Sequence, residues 1–388
     1  MVSKTFILVV CVGSLTGFSD AFWRMSCGII QTGRIDPVVS PGKISGHVHK
    51  IAGASNIGLD STYNTLQQSN CTSCEIQKDK SAYWTPQLYY HLSNGSFEEV
   101  PNQGMTVYYL GRGNNAANIK PFPEGFRMLS GNAAARSYNT QNLTYQNVRP
   151  IADRVSFACL QANPSAETPG MNETNCINGL RAQVHFQSCW DGVNLYKEDN
   201  SHVAYMSMMD NGVCPPEYPV QFIHLFYEVL YSVNNVNLDG GNFAFSQGDT
   251  TGYGFHGDFL NGWDMDVQTQ AMEQCANTAD GVVKDCAPLA ASDIDDFSDV
   301  CATQAPLVQE QTGPMISKLP GCITITSGPE DASMADMVCA AGTPEPAVAS
   351  GFVAVGSSSA MAQAADATAL ATSNASPRRR GVGWYGNI

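Results

Sequence analysis

The sequence is poor in charged residues, and basic residues are especially scarce. Charged residues make up 14% of the 388-residue chain, and 20 Lys and Arg stand against 35 Asp and Glu, which gives a formal net charge of −15. Because proteins bind nucleic-acid phosphates through clustered Lys and Arg, this balance argues against a nucleic-acid partner. A neutral or cationic partner fits better, including an uncharged polysaccharide, although the acidic excess is equally explained as a means to solubility.

Long apolar segments are also missing. A short apolar run over residues 6–13 follows Lys4 and precedes Ser19, Asp20 and Ala21, a pattern typical of a signal peptide with a small-residue cleavage site. We therefore predict a signal peptide over residues 1–21 and a mature chain that begins at Phe22. No later segment approaches the roughly 20 apolar residues of a membrane-spanning helix. We therefore expect a secreted, extracellular protein with no transmembrane segment, and association with a cell wall is one hypothesis for its location.

Three motifs of common secreted enzymes are absent. No His is followed by Glu, as a zincin requires, and no Gly-x-Ser-x-Gly elbow of a serine hydrolase occurs. A copper centre of the histidine-brace type needs an N-terminal His, whereas the predicted mature chain begins with Phe22. These absences remove three enzyme classes and leave open whether the protein is an enzyme at all.

The cysteine count predicts a disulfide framework. The chain has 13 Cys, and one of them, Cys11, lies in the predicted signal peptide. The even number that remains indicates six disulfides in an oxidising compartment, with a pairing that the sequence leaves open. Cys71 and Cys74 have the spacing of zinc ligands but no second such pair, so a zinc site is disfavoured. N-glycosylation motifs also predict a secreted glycoprotein, and they occur at Asn70, Asn94, Asn142, Asn172 and Asn374.

Composition divides the mature chain into one domain and a tail. Residues 22–342 have an even composition without a repeat, which predicts a single secreted β-rich domain. Residues 343–388 are rich in Ser, Ala and Thr, and such residues bury too little surface to offset the entropy of ordering. We expect this tail to be disordered.

Short aromatic and β-branched runs predict a mainly β fold. The clearest predicted strands are residues 81–90, 105–110, 181–190 and 219–230, each bounded by Gly, Asn, Ser or Pro. Helical patterns are limited to residues 268–277 and 306–311. We predict a large β-sandwich or jelly-roll-like domain with long, disulfide-pinned loops and few short helices.

Two histidines have the spacing of metal ligands. His47 and His49 lie two residues apart, so in an extended backbone their side chains share one face. We predict that they bind a divalent metal ion, and His185, His224 and His256 are candidates to complete the ligand set. Because buried polar side chains need partners, we also expect His47 and His49 to share a concave site with His256 or Asp258, members of the other dense polar segment. For His185 and His224, which lie among apolar neighbours, a neutral core histidine bonded to the backbone is the alternative.

The segment over residues 255–264 is dense in polar and aromatic residues. It contains His256, Asp258, Asn261 and Asp264 beside two Gly and three large aromatics, which looks too polar for a core strand. His256, Asp258 and Asp264 are the predicted catalytic residues, because paired carboxyls can protonate a leaving group and activate water in glycoside hydrolysis. A Gly-rich corner with solvated aspartates is the alternative.

Aromatic residues are the predicted contacts for a sugar. Trp84, Trp190, Trp263 and Tyr83 have flat faces that can stack on pyranose rings, and Asn261 can supply hydrogen bonds. A core of this size also needs tryptophans, and that alternative remains open for each of them.

A series of short motifs in order resembles one family. The motifs include Phe22-Trp23-Arg24-Met25, Arg34-Ile35-Asp36-Pro37, Gly46-His47-Val48-His49, Ala82-Tyr83-Trp84-Thr85-Pro86, Cys189-Trp190-Asp191-Gly192 and Gly257-Asp258-Phe259-x-Asn261-Gly262-Trp263-Asp264. Over residues 22–264 the chain resembles the fungal secreted domain of unknown function whose members often carry a WSC carbohydrate-binding domain. The resemblance implies a surface or cell-wall setting and no established activity. The predicted tail stands where a WSC module would follow.

The sequence supports two hypotheses of function. The first is a glycan-directed enzyme, a hydrolase or lyase that acts on cell-wall polysaccharide with a His, Asp and aromatic site. The second is a non-catalytic surface protein that binds wall glycan or a metal ion.

Overall fold

The structure, a computed structural model, describes residues 22–114, 118–161, 166–275 and 281–349. The predicted signal peptide and residues 350–388 of the predicted tail lie outside these residues. Within the described ranges, no helix has both the length and the apolar character needed to cross a membrane.

Two five-stranded antiparallel sheets form the body of the fold. The order of the first sheet is β1 (Phe22–Cys27), β7 (Asn102–Leu110), β14 (His224–Tyr231), β10 (Leu180–His185) and β9 (Val155–Cys159). The order of the second sheet is β2 (Ile29–Gly33), β3 (His49–Gly53), β4 (Ala82–Pro86), β16 (His256–Leu260) and β8 (Arg127–Gly131).

The second sheet is buried on both of its faces. Every residue of β3, β4 and β16 is buried, as expected for a sheet that is covered on two sides. One face contributes Tyr83 and Phe259 to the main core, and the other contributes Trp84 and Ile51 to a second cluster. The prediction that the segment around His256 is too polar for a core strand is therefore wrong, because it forms a central strand.

Close contacts between the two sheets make the fold a β-sandwich, as the sequence predicted. Tyr227 donates a hydrogen bond across the sandwich to the carbonyl of Asp258 (3.1 Å), and Tyr231 donates one to the carbonyl of Pro86 (2.7 Å). A Cβ atom at Gly257 would lie 2.9 Å from Val184 Cγ1, so this residue lets β16 pass close to the first sheet.

Three smaller sheets extend the sandwich. One has the order β15 (Asn242–Phe245), β5 (Leu88–His91), β6 (Phe97–Glu99) and β18 (Met315–Ile316). Another has the order β12 (Val203–Ala204), β11 (Cys189–Trp190) and β13 (Val220–Gln221). The third pairs β17 (Val308–Gln309) with β19 (Ala347–Val348), so a part of the predicted tail takes part in a sheet.

All four predicted strand regions contain strands, but three of them are split between sheets. Gln87 separates β4 from β5, and its backbone N–H donates to the carbonyl of Val48 (3.0 Å) while its side chain donates to the carbonyl of Val100 (3.2 Å). A buried amide of this kind satisfies the backbone groups of a corner. The chain can therefore turn from one sheet into another within a run that reads as a single strand.

Helices are few and short. The α-helices are α1 (Tyr63–Gln67), α2 (Met265–Gln274), α3 (Ala287–Ala290), α4 (Phe297–Val300) and α5 (Met334–Met337). The 3₁₀ turns are Tyr145–Asn147, Ile151–Arg154, Val233–Asn235, Val283–Asp285 and Pro320–Cys322. The predicted helix at 268–277 corresponds to α2. The predicted helix at 306–311 is wrong, because Val308 is buried in strand β17 and pairs with Val348.

Six disulfides confirm the predicted framework. The pairs are Cys27–Cys74, Cys71–Cys301, Cys159–Cys176, Cys189–Cys214, Cys275–Cys286 and Cys322–Cys339. Cys71 and Cys74 belong to two different disulfides, so neither is available as a zinc ligand. The Cys71–Cys301 bond closes a loop of 230 residues.

Candidate metal centre

Strand β3 sets the positions of the first two histidines. His49 is the first residue of β3, where it pairs with Gly33 on one side and Pro86 on the other. His47 precedes it by two residues, and the two imidazole rings lie with their centroids 4.4 Å apart. The two rings therefore lie close together, as the sequence predicted, although His47 lies in a bend before β3 begins.

Strand β16 supplies the third histidine. His256 is the first residue of β16, and its Nε2 lies 3.0 Å from Nε2 of His47 although 209 residues separate the two. Its ring centroid is 5.0 Å from that of His47 and 5.8 Å from that of His49. One ring nitrogen from each of the three residues lies within 4.8 Å of the other two, so the three histidines form one cluster, which we call the histidine centre.

Backbone carbonyls fix the tautomers of two of these histidines. Nδ1 of His49 lies 3.0 Å from the carbonyl of Ile35, and Nδ1 of His256 lies 2.9 Å from the carbonyl of Gly254. Because a carbonyl only accepts hydrogen bonds, each Nδ1 carries the proton and each Nε2 presents a lone pair. Hydrogen bonds of this kind orient the imidazoles of metal sites.

The lone pair of His49 has no partner. Its Nε2 is buried and makes no hydrogen bond with any residue that the structure describes. Nε2 of His47 meets a lone pair on Nε2 of His256, so without an ion His47 must donate the proton in that contact. A cation would use all three lone pairs at once, whereas the protein alone pairs only one of them.

Burial keeps these imidazoles neutral. Desolvation lowers the pKa of His256 to about 4. It also lowers the pKa of His47 and of His49 well below the usual range, and repulsion among the three rings adds to the effect. Since metal ions bind only the deprotonated imidazole, the three nitrogens need no proton removed at neutral pH.

Two buried carboxyl groups lie beside His49. Asp258 follows His256 by two residues in β16 and therefore points to the same face, and Asp36 follows Ile35 in the loop after β2. One carboxylate oxygen of each residue and one ring nitrogen of His49 lie within 4.8 Å of one another. Oδ1 of Asp36 accepts the backbone N–H groups of Val38 (3.0 Å) and Val39 (2.9 Å), whereas Oδ2 of Asp258 is buried without a partner among the described residues.

Both carboxyl groups are pushed toward the protonated form. Burial raises the pKa of Asp36 to about 6, and the backbone hydrogen bonds from Val39 and Val38 oppose it. Burial also raises the pKa of Asp258 well above its usual range, and the neighbouring charge of Asp36 adds to it. Two carboxyl groups in one dry site cannot both be ionised unless a cation lies between them. Without a cation, at least one of them keeps its proton.

The segment after β18 packs against the loop that carries His47. A Cβ atom at Gly46 would lie 3.2 Å from the carbonyl of Met337, and a Cβ at Gly321 would lie 1.9 Å from the carbonyl of Gly46. Arg34 donates to the carbonyl of Ser45 (2.9 Å) and pairs with Glu310 (2.6 Å). These contacts hold the loop against β3, so His47 keeps its position although it is only half-buried.

The predicted catalytic residue Asp264 lies in a different setting. It caps the N-terminus of α2 by accepting the N–H of Val267 (3.3 Å), and it forms an ion pair with Lys78 (3.1 Å). Burial raises the pKa of Asp264, but the bonds from Lys78 and Val267 outweigh burial, so its pKa is lowered. Asp264 therefore has the surroundings of a helix cap and not those of Asp258.

The predicted sugar-binding residues lie mainly in the core. Trp84, Trp263, Tyr83 and Asn261 are fully buried, and Trp190 is half-buried. Trp263 donates to the hydroxyl of Tyr109, and the amide of Asn261 donates to the carbonyl of Pro123 (2.8 Å). Their role in ligand binding stays a prediction.

His185 and His224 do not join the histidine centre. Nδ1 of His185 lies 3.0 Å from Nε2 of His224, whose Nδ1 lies 2.7 Å from the hydroxyl of Ser188. They contact each other on the first sheet, so these contacts are made to side chains and are not the backbone bonds that the alternative of neutral core histidines expected. Sequence reasoning also missed Asp36, which it used only as part of a family motif. Only the fold shows that the carbonyl of Ile35 contacts His49, and this contact brings the neighbouring Asp36 to the site.

The fold and the cluster define a disulfide-rich β-sandwich protein with a candidate metal centre. The family described as a domain of unknown function (DUF1996) matches residues 36–263, which is more than half of the chain, and the chain belongs to this family. The matched range contains Asp36, all three residues of the histidine centre and Asp258. Neither a curated protein nor a solved structure matches the chain significantly.

Proposed function

We propose that this protein is a secreted metal-binding protein that holds one divalent transition-metal ion through His47, His49 and His256. The observation that carries the proposal is the convergence of three neutral imidazole nitrogens within 4.8 Å of one another. Imidazole is a preferred ligand of Zn, Cu, Ni and Fe, which favours these ions over Ca or Mg. Six disulfides are compatible with an oxidising, extracellular compartment.

The alternative of three ordinary core histidines fits the contacts less well. A core histidine is normally satisfied at both ring nitrogens, whereas Nε2 of His49 has no partner among the described residues. The two carbonyl acceptors, at Ile35 and Gly254, hold their Nδ1–H groups away from the cluster. Their effect is to orient two lone pairs toward one point, which an apolar core would not require.

A bound ion at a three-histidine centre would supply Lewis-acid chemistry, and three protein ligands leave a position open. In this proposal His256 acts as a ligand and not as a general acid, because burial lowers its pKa to about 4. Asp36 and Asp258 would be neighbouring groups able to carry a proton, because burial raises the pKa of both. The predicted action on cell-wall polysaccharide would combine this centre with a separate surface for the glycan.

Metal content tests the proposal directly. Purified protein would be stripped with chelator, loaded with Zn²⁺ or Cu²⁺, dialysed and measured by mass spectrometry of the elements. We expect one ion per chain for the unaltered protein and for His91→Gln, a control histidine stacked on Phe97 outside the centre. His47→Gln and His256→Gln should lose the ion. Equal metal content in all four proteins would contradict the proposal.

A polar cleft favours glycan binding as a second function. The cleft has a volume of about 350 Å³, and Tyr138 and Tyr253 line it with ring centroids 6.4 Å apart. The residues Asn132, Asn139 and Gln141 also line it, and so does Asn142, whose N-glycosylation motif means that the proposal applies to the chain without a glycan at this residue. Amides and aromatic rings are the groups that hydrogen-bond to and stack on sugars. We propose this cleft as the surface for an uncharged polysaccharide.

A glycan array and titration with soluble β-glucan would test this second function. Tyr253→Ala should weaken binding at least about tenfold, on the scale of a lost aromatic contact. Tyr218→Ala, which removes a ring outside the cleft, serves as the matched control. Binding that is equal in both variants would move the glycan to another surface, and no binding by the unaltered protein would remove this function.

A further inference from the structure

Asp36, His49 and Asp258 form a second cluster of ligand atoms within the same site. Asp36, His49 and Asp258 are 4%, 0% and 1% exposed, and one ligand atom of each lies within 4.8 Å of the others. Two of the buried atoms, Nε2 of His49 and Oδ2 of Asp258, have no partner among the described residues. Unpaired buried atoms of this kind are costly and need an explanation.

Arg and Lys do not neutralise these carboxyl groups. Within the described ranges, neither Asp36 nor Asp258 forms an ion pair. Removing two carboxylates from water without a counter-charge is strongly unfavourable. A divalent cation between them would balance both charges and use the free oxygen of Asp258.

The histidine centre has the opposite electrostatic character. Its three ligands are imidazoles, and no carboxylate belongs to it. An ion there keeps its full charge and depends on strong bonds to nitrogen. Soft or borderline ions form such bonds, whereas a harder ion gains more from carboxylate oxygen.

His49 links the two clusters and limits them to one ion. Its Nδ1 donates to the carbonyl of Ile35, so only the single lone pair on Nε2 can bind a metal. An ion that uses this lone pair in one cluster removes it from the other.

We propose that Asp36, His49 and Asp258 form a second cation position for a harder divalent ion such as Mn²⁺, which overlaps the histidine centre through His49 and excludes simultaneous occupation. This inference rests on the proposed function of the histidine centre. It makes the site selective by position: a borderline ion binds at the imidazoles, and a harder ion binds at the carboxylates.

Three variants separate the two positions. Titrations of chelator-stripped protein with Zn²⁺ and with Mn²⁺ would use calorimetry and the electron paramagnetic resonance of Mn²⁺. Asp36→Asn should weaken Mn²⁺ binding by more than about tenfold and leave Zn²⁺ binding nearly unchanged, whereas His47→Gln should do the reverse. His49→Gln should weaken both. Asp266→Asn, an exposed aspartate on α2, is the control, and thermal melting would verify the fold of each variant.

Competition tests the overlap. Zn²⁺ added to the Mn²⁺-loaded protein should release Mn²⁺ one for one. Simultaneous binding of one Zn²⁺ and one Mn²⁺ would overturn the shared role of His49, and Mn²⁺ binding that Asp36→Asn leaves intact would overturn the carboxylate position. Zn²⁺ binding without any Mn²⁺ binding would refute this inference alone, whereas binding of neither ion would refute the proposed function as well. If Asp36→Asn does not fold, Asp258→Asn supplies the same comparison.

Discussion

Nε2 of His47 lies 3.0 Å from Nε2 of His256, across 209 residues of chain. The contact joins the loop before β3 to the first residue of β16, and β4 lies between these two strands in the sheet. Two ring nitrogens this close can share one proton or one ion. Because burial keeps both rings neutral, the two nitrogens hold either a shared proton or a metal ion. The stability of the fold should therefore depend on the metal ion and on pH.

Metal should stabilise the fold through His256. An ion that binds only the folded protein raises the free energy of unfolding by about 2.7 kcal/mol when its free concentration is a hundred times the dissociation constant. We expect Zn²⁺ to raise the melting temperature of the unaltered protein and of His91→Gln, and to have little effect on His256→Gln. Calorimetric melting with and without Zn²⁺ measures this, and an equal shift in all three proteins would mean that the ion binds elsewhere.

The stability of the metal-free protein should depend on pH through the same residue. Burial lowers the pKa of His256 from 6.5 to about 4, so between these pH values the unfolded chain takes up a proton that the folded chain does not. Acid therefore favours the unfolded state. From pH 7 to pH 4, the unaltered protein should lose on the order of 3 kcal/mol relative to His256→Gln.

Urea unfolding of the two proteins across this pH range gives the comparison. The difference is needed because Asp36 and Asp258 act in the opposite direction: their raised pKa values let the folded state bind protons that the unfolded state releases. A difference between the two proteins that stays constant from pH 7 to pH 4 would show that His256 titrates normally.

The local arrangement of the site could be predicted from the sequence. The spacing of His47 and His49 predicts two rings on one side of an extended chain, because side chains alternate along a strand. The density of polar residues also predicts that His47 and His49 share a site with His256 or Asp258, and the structure brings His256 next to both rings. The sequence does not show why they meet, because the order β3, β4 and β16 in the sheet is a long-range property.

Burial was the property that sequence reasoning predicted least well. The mixture of His256, Asp258 and Asn261 with glycines was interpreted as too polar for a core strand, yet β16 is buried throughout. His256 in β16 and Asn261 directly after it are tolerated because they have specific partners, the carbonyls of Gly254 and Pro123, whereas Oδ2 of Asp258 has none among the described residues. Partners of this kind come from distant segments and leave no local pattern.

The disulfide framework should contribute strongly to stability, and the longest loop gives the clearest test. We expect the double variant Cys71→Ser, Cys301→Ser to lose about 2 to 5 kcal/mol, since this bond restricts 230 residues of the unfolded chain. Urea unfolding measures the loss.

In the unaltered protein, mass spectrometry without reduction should find Phe22 at the N-terminus and no free thiol. Two or more free thiols would contradict the framework.

Tyr83 should stabilise the core through a chain of hydrogen bonds. Trp263 donates to the hydroxyl of Tyr109 (2.8 Å), that hydroxyl contacts the hydroxyl of Tyr83 (2.7 Å), and Tyr83 donates to the buried carboxyl group of Asp79. Asp79 also accepts a bond from the backbone N–H of Ser81 (2.9 Å). Loss of the Tyr83 hydroxyl would leave a buried carboxyl group with fewer donors.

We therefore expect Tyr83→Phe to lower the free energy of unfolding by about 1 to 3 kcal/mol. Tyr218→Phe is the control, because its hydroxyl donates to the carbonyl of Ser201 near the surface and its loss should cost less than about 0.5 kcal/mol. Urea unfolding and β-glucan titration would be measured on both variants. If Tyr83→Phe keeps full stability but loses affinity for the glycan, Tyr83 contacts the ligand, as the sequence first suggested, and the buried chain of hydrogen bonds is not its role.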